Sequence, residues 1–384
     1  MKKARVGFIG AGNFISANHL LTVRDSSRME IAAIADLDEE RLAKHQARMK
    51  IGYVTTDYKK VLADPDIDII IIGTKQDLHA KMIIESLDAG KWVLCEKPMA
   101  ENEEECQAVL AAEKRNKGKL AIGFNRRFAP AYAEAKRLMK DIPRPWYINY
   151  RLMYPNPHKQ GEKSFYSTHP RILYEGCHIL DLISWLLEDT PTRVFMTGDR
   201  ILNNCCILEY RDRSQVSFMC GSMGSYGLWK EYMEIFGTYT SITIQDFVDM
   251  RVRGIPGGKD RLFAPYLGEH AAEVLTWGFD FYEMYKSKEL MKNDTAYQDE
   301  YQMFINPVQR PLALPFEVEK YGKVHPDLWG FVPDKGWTWS VEDFAACFLD
   351  GRKPLNADGE AGKLATEIAL RLLASLETGL PVKM

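Results

Sequence analysis

The chain has 384 residues, with 50 Lys plus Arg against 53 Asp plus Glu for a net charge of -3, and 46% of its side chains are hydrophobic. At roughly 100–200 residues per domain this length implies two domains, and the apolar fraction excludes a disordered, collagenous or disulfide-stapled chain. No long basic run interrupts the near-neutral balance, so nucleic acid is not an expected partner.

Residues 6–9 form an apolar run that stops at Gly10-Ala11-Gly12 and passes into a helical pattern through Leu20, Leu21 and Val23, as a buried strand feeding a helix would. Basic residues precede this run, as in a secretory leader, but Gly10, Gly12 and Asn13 break it and no convincing cleavage site follows. The next apolar run, 31–35, ends at Asp36, and 38–49 reads as a helix that Asp38 can cap. Residues 53–54 make a weak third strand, with a short helix near 58–62. Further strands are expected at 67–73, 92–95 and 120–123, separated by helices at about 77–89 and 102–117. These strands are continuously apolar instead of alternating, which implies a parallel sheet covered on both faces. Residues 1–124 thus read as a doubly wound α/β domain of the Rossmann type. Even the most hydrophobic stretch, 69–72, falls far short of the ~20 residues of a membrane helix, so no membrane partner is expected. Seven cysteines, odd in number and without a C-x-x-C pair, read as reduced thiols and point to the cytoplasm.

Gly10-Ala11-Gly12-Asn13-Phe14-Ile15 lies at the first strand-to-helix junction. Gly10 permits the tight turn, Gly12 lets backbone approach a pyrophosphate, and the helix start favours its charge. Ile15 stands where a third glycine is usual. Asp36 closes the second strand 24 residues after Gly12, where a carboxylate can accept from ribose hydroxyls and repel a 2'-phosphate. NAD is therefore the expected cofactor, ahead of NADP, with Asn13, Phe14 and Ile15 beside it.

Glu96-Lys97-Pro98 follows the fifth strand at the carboxyl edge of the sheet, where doubly wound domains bind ligands. Pro98 fixes the local backbone so that the Lys97 ammonium is aimed, and an ammonium beside a secondary alcohol can stabilise alkoxide character. A solvated surface lysine is the ordinary alternative. In the second half, residues 171–186 have helical spacing, with Leu182, Trp185 and Leu186 as an apolar face. Glu175, His178 and Asp181 fall at i, i+3 and i+6 on one side, a polar stripe suited to a cleft wall. A lone helical histidine is more often a core or capping residue than a base. Glu-x-x-His also suggests a metal pair, but a dinuclear site needs a second copy and none is present, so no metal is expected.

Three stretches together resemble the Gfo/Idh/MocA oxidoreductases: the Gly-x-Gly turn, Gly90-Lys91-Trp92-Val93-Leu94-Cys95-Glu96-Lys97-Pro98, and Gly123-Phe124-Asn125-Arg126-Arg127-Phe128. The resemblance reaches the C-terminus through 348–354 and a helix at about 360–381. It implies a Rossmann domain (1–124) followed by an α+β domain (125–384) with an open, mainly antiparallel sheet, the last helix packing back on the first domain. It also implies oxidation or reduction of sugars and polyols with a nicotinamide cofactor. The family's D-x-x-x-H-x-x-D places His178 as the catalytic base with Asp181, while its first Asp is Tyr174 here. Glu175-x-Cys177-His178 resembles a branch in which Glu175 partners the histidine. Thr74 to His79 stands where the family reads T-P-N-x-x-H, with Lys75 and Gln76 departing from it, and His79 suits a packing role as well as a cofactor contact. The resemblance thus adds Thr74, His79, Glu96, Lys97 and Asn125 to the cofactor contacts.

Strands are expected at about 146–153, 193–198, 203–210, 214–220, 230–237 and 240–245, an antiparallel sheet. The connections 154–170, 254–269 and 293–339 are polar and aromatic, and such rings can stack on sugars. Tyr154, Arg126, Arg171 and Tyr174 join Lys97 and His178 as candidate substrate contacts. The expected partner is a sugar, polyol or glycoside, and an open sheet face invites a homodimer or homotetramer. Two other functions fit the same residues: a glycosidase that uses NAD to oxidise a ring hydroxyl transiently before elimination, and a cofactor-binding regulator without catalysis.

Overall fold

The computed structural model describes residues 2–153, 169–223, 230–263 and 334–384. The chain divides into two compact units, each assembled from separated stretches: Met1–Phe128, Asn156–Ser222 and Gly336–Met384 in one, Ala129–Pro155 and Met223–Lys335 in the other.

The first unit begins with β1 (Ala4–Ile9), α1 (Asn13–Ala17), α2 (His19–Asp25), β2 (Met29–Ala35), α3 (Glu39–Arg48), β3 (Tyr53–Thr55), α4 (Tyr58–Ala63), β4 (Ile69–Ile72), α5 (His79–Asp88), β5 (Trp92–Cys95), α6 (Glu103–Arg115) and β6 (Leu120–Ile122). The six strands form one parallel sheet in the order β3-β2-β1-β4-β5-β6. This is the doubly wound order, whose direction reverses between β1 and β4 and opens a crevice at their carboxyl ends. Each apolar run of the sequence lands on a strand because both sheet faces are covered, and all four residues of β4 are buried. Asp38 caps α3 by accepting from the Arg41 N–H, and Asn102 caps α6 through the Glu105 N–H. The single helix expected after Gly12 is instead two, interrupted at Asn18.

The remainder of this unit holds helices Arg171–Tyr174, Gly176–Leu187, Trp337–Asp350 and Gly359–Thr378. Antiparallel strands Gln215–Gly221, Asn204–Glu209, Arg193–Gly198 and Val382–Lys383 lie in that order. The Trp337–Asp350 helix occupies part of what reads in the sequence as a polar connection. Its Val341, Phe344 and Ala345 join Val6, Phe8, Ile71 and Leu94 in one apolar core, and Phe344 sets its ring 5.5 Å from that of Trp92. The Gly359–Thr378 helix lies against α6: Thr366 donates to the Ala100 carbonyl, and a Cβ on Gly362 would stand 2.7 Å from the Met99 sulfur.

In the second unit, helix Pro130–Met139 accompanies antiparallel strands ordered Arg261–Leu262, Asp249–Arg253, Thr240–Gln245, Glu231–Gly237 and Tyr147–Met153. Strand 231–237 alternates, with Glu231, Met233 and Ile235 inward and Phe236 exposed opposite the exposed Tyr147. Buried Tyr132 and Tyr150 bring their hydroxyls to 3.1 Å, and Tyr150 donates to the buried Glu231 carboxylate. Among the described residues no helix is long and apolar enough to cross a membrane.

One buried acid couples this packing to pH. Glu113 on α6 accepts from the Gly359 N–H, and a Cβ on Gly359 would lie 2.2 Å from its carboxylate. Burial pushes the Glu113 carboxyl up to about 7 from 4.5, with the neighbouring Asp358 and Glu360 adding to the rise against that N–H. A raised folded-state value favours the protonated fold: the contribution is complete below about 4.5 and is lost as pH rises through about 7. Thermal unfolding should therefore show the native protein losing stability between pH 5 and 8 relative to Glu113→Gln. Parallel profiles for the two proteins would show that Glu113 keeps its ordinary value.

Candidate active site

All the site residues within the described stretches belong to the first unit. At the switch point Gly10 adopts φ +86°, and a Cβ there would meet the Gly73 carbonyl oxygen at 2.6 Å, so only glycine closes this turn. Gly12, by contrast, faces space: a Cβ would meet nothing within 4 Å. The glycine missing at Ile15 has moved across the interface. The Ile15 side chain fills the place where a Cβ on Gly73 would sit, 2.1 Å from its Cγ1, so close helix–strand packing is kept with the small residue on the strand side. Asn13 and Phe14 are exposed beside this turn, Phe14 edge-on to the rings of His19 and Trp337 at 5.3 and 5.6 Å.

Asp36 latches the turn to the end of β2. Its Oδ2 accepts from the Ala11 N–H at 2.7 Å, while Oδ1 accepts from the Asp38 N–H and the Arg41 guanidinium, both at 2.9 Å. Burial pushes the carboxyl up, but those two N–H groups and Arg41 outweigh it and hold it below the ordinary range. A carboxylate offers about four lone-pair directions, so one remains for a ribose hydroxyl. The open space over Gly12 and the ionised Asp36 at this distance in the fold fit a dinucleotide. Arg41, a cation beside the ribose position, was not foreseen from the sequence.

The turn after β5 is gripped on both sides. Glu96 accepts from His19 at 2.8 Å in a buried pair, and the Lys97 N–H points at its other oxygen at 3.4 Å. His79, 1% exposed, bonds the Pro98 carbonyl through Nδ1 at 2.7 Å, and burial lowers its ring's affinity for a proton. Glu96 and His79 therefore brace the lysine turn from within. Thr74 sits half-buried at the same edge, its hydroxyl bonded to the Lys75 carbonyl.

Lys97 Nζ donates to the Tyr174 carbonyl at 2.8 Å and lies 4.0 Å from the Glu175 carboxylate. Glu175 accepts the His178 N–H through its own carbonyl at the helix start, which puts His178 one turn beyond the lysine. His178 is 7% exposed, with Phe124 edge-on at 6.1 Å. The structure thus brings Lys97 beside Glu175, at the start of the helix that carries His178. Asp181 departs from its expected role: Arg127 clasps it bidentately at 2.9 and 2.5 Å, so its carboxylate serves the fold instead of orienting the histidine. Tyr174 donates its hydroxyl to Glu101, and burial, with that carboxylate, pushes its phenol upward, so it is a fixed donor and not a base. Cys177 is buried with its thiol pushed up to about 12 by burial, which excludes a nucleophilic thiolate.

Asn125 and Arg126 are buried in the short turn Asn125–Phe128. Arg171 is buried too, at 2% exposure. Tyr154 lies outside the described residues, as do most of the aromatic connections. Among the described residues no three His, Cys, Asp or Glu side chains cluster as metal ligands, and none of the seven cysteines is bridged. His19, Arg127 and Glu101 were not singled out as site residues in the sequence. Their partners stand 77, 54 and 73 positions away, beyond any local pattern.

Residues 4–124 match the oxidoreductase family with the NAD-binding Rossmann fold, Gfo/Idh/MocA. The uncharacterized oxidoreductase YrbE of Bacillus subtilis is 30% identical over 205 residues, 53% of this chain and 59% of that protein. Inositol 2-dehydrogenase 2 of Saccharopolyspora erythraea is 34% identical over 185 residues, 47% of this chain and 53% of that one. The chain thus spans little more than half the length of these curated relatives. An Agrobacterium radiobacter oxidoreductase, solved in complex with NAD+, L-tartaric acid and magnesium, shares the fold with a TM-score of 0.74 at 16% identity, covering 100% of this chain and 98% of its own.

The Arg127–Asp181 clasp makes a stability test. Arg127→Met leaves Asp181 a buried charge without its cation and should cost about 3–5 kcal/mol in urea denaturation, most of it recovered in Arg127→Met/Asp181→Leu. A loss below about 1 kcal/mol would mark the pair as solvent-screened.

Proposed function

We propose that this chain, whose residues 4–124 are those of a Gfo/Idh/MocA oxidoreductase, oxidises a secondary hydroxyl of a sugar, polyol or glycoside with NAD, or reduces the corresponding ketone. The observation that carries the reading is the Lys97 ammonium at the carboxyl edge of the Rossmann sheet, held by the Tyr174 carbonyl at 2.8 Å and 4.0 Å from the Glu175 carboxylate, at the start of the helix that carries His178. The sequence likeness to inositol dehydrogenases supports the substrate class.

When bound, the nicotinamide supplies the two-electron acceptor for the carbinol carbon. Gly10, Gly12 and Asp36 would hold the dinucleotide, Asp36 offering its remaining acceptor direction to a ribose hydroxyl. The carbinol carbon gives up its electrons as its hydroxyl proton is lost, and the His178 imidazole is the base that takes it. Lys97 presents an ammonium to the same oxygen and stabilises its growing negative charge. Glu175 sets its carboxylate 4.0 Å from that ammonium and, through its carbonyl, accepts the His178 backbone N–H at the helix start. His79 and His19 keep the lysine turn from sagging into the cleft. A homo-oligomer in the cytoplasm completes the reading, with Phe236 and Tyr147 on the open sheet face as the surface that a second copy covers.

General-base assistance is worth ~10² to 10⁴ in rate. His178→Ala and Lys97→Ala should each lower turnover by that order while NAD affinity, measured by titration, stays within about threefold. Near-normal turnover by His178→Ala on a verified substrate removes it from the mechanism. Cleavage of a glycoside without net NADH would instead favour the redox-assisted glycosidase.

Cofactor choice rests on Asp36 against Arg41. Calorimetry should give tighter binding of NAD than NADP, and Asp36→Ala should narrow the gap by releasing Arg41 toward a 2'-phosphate. Equal or tighter NADP binding by the unmutated protein would overturn this assignment.

A further inference from the structure

Arg171 is 2% exposed, and its Nε has no hydrogen-bond partner. Among the described residues no carboxylate stands within ion-pair distance of its guanidinium, in contrast with Arg127, whose fork Asp181 fills. A buried cation without an anion is strongly unfavourable, and a native protein that keeps one calls for an explanation in a ligand.

Its place on the helix says which ligand. The Glu175 N–H donates to the Arg171 carbonyl at 2.8 Å, so the helical path runs on from 171 through the slight break at Glu175 into 176–187. At about 100° per residue, Arg171 and His178, seven apart, lie within roughly 20° of one another on the same stripe. The rise between them is about 10 Å, and the Tyr174 carbonyl that holds Lys97 lies in that interval. A single ligand lying along this stripe meets the base and the ammonium at one end and the guanidinium at the other.

We propose that Arg171 receives an oxyanion of the substrate, so that the molecule oxidised between Lys97 and His178 is an acidic sugar carrying a carboxylate or a phosphate. The catalytic half of that statement rests on the function proposed above; the anion site does not. A planar guanidinium forks onto either group through two parallel hydrogen bonds, and one already desolvated has little further hydration to lose on binding. The arrangement trades stability of the ligand-free protein for affinity.

The test is calorimetric titration of the full chain, with and without NAD, against hexuronates, aldonates, hexose phosphates and the neutral parent sugars. At least one acid should bind 10-fold or more tightly than its neutral parent, and whether a carboxylate or a phosphate does so identifies the group. Arg171→Gln should erase that preference and leave the neutral sugars and NAD unchanged, and Arg171→Lys, which keeps charge but loses the fork, should fall between. Arg171→Met should hold or raise the melting temperature of the ligand-free protein. Equal affinity for acids and neutral sugars, acid binding that survives Arg171→Gln, or a fall in melting temperature for Arg171→Met would each overturn the proposal. Arg171-dependent acid binding with no NADH from any bound acid would sink the oxidoreductase reading and leave the anion site standing. Oxidation of a neutral polyol together with no Arg171-dependent preference for any acid would do the reverse.

Discussion

Lysine carries its charge on four flexible carbons, so an aimed ammonium needs both a rigid base and a fixed acceptor. The turn after β5 supplies the base: His19 holds Glu96 on one side and His79 holds the Pro98 carbonyl on the other. The two histidines arrive from the helices that follow β1 and β4, the pair of strands between which the sheet reverses direction. The Tyr174 carbonyl supplies the acceptor, 77 positions along the chain. Lys97 is therefore placed by the topology of the sheet and by a helix outside it.

The fold was legible where period and punctuation are strong. The run 69–72 could only be a strand buried on both faces, and Gly10 could only be the tight turn. Less legible were elements whose reason lies elsewhere in the molecule. The expected connection 293–339 overlaps only the first turn of the helix Trp337–Asp350, although Trp337, Val341, Phe344, Ala345 and Phe348 recur at helical spacing, and the core of the first strands claims most of them. The two-residue strands at 261–262 and 382–383 are made by their neighbours and carry no pattern of their own. The same holds for Gly73, whose meaning appears only when Ile15 is seen against it.

For the site, spacing identified the helix but overstated its face. Six residues at about 100° each carry Asp181 roughly a third of a turn from Glu175, enough to take it off the cleft and onto Arg127. Glu96 and His79 lie where the motif places them, at the carboxyl edge of the sheet, and their burial and bonds to His19 and the Pro98 carbonyl show them supporting the lysine turn. A charge's neighbour in space decides its work, and in this chain those neighbours are dozens of residues away.

The core of the first strands has a consequence for how the protein comes into being. Phe8 and Phe344 share one apolar cluster with Leu20, Val23 and Ile34, so the core around β1 stays incomplete until some 340 further residues have been made. At ~5–20 residues per second, translation leaves it incomplete for on the order of 20 to 70 seconds. Throughout that interval the nascent strands offer a greasy flank to whatever first meets them at the ribosome exit, and a chaperone that shields it would be guarding the same surface the late helix finally claims.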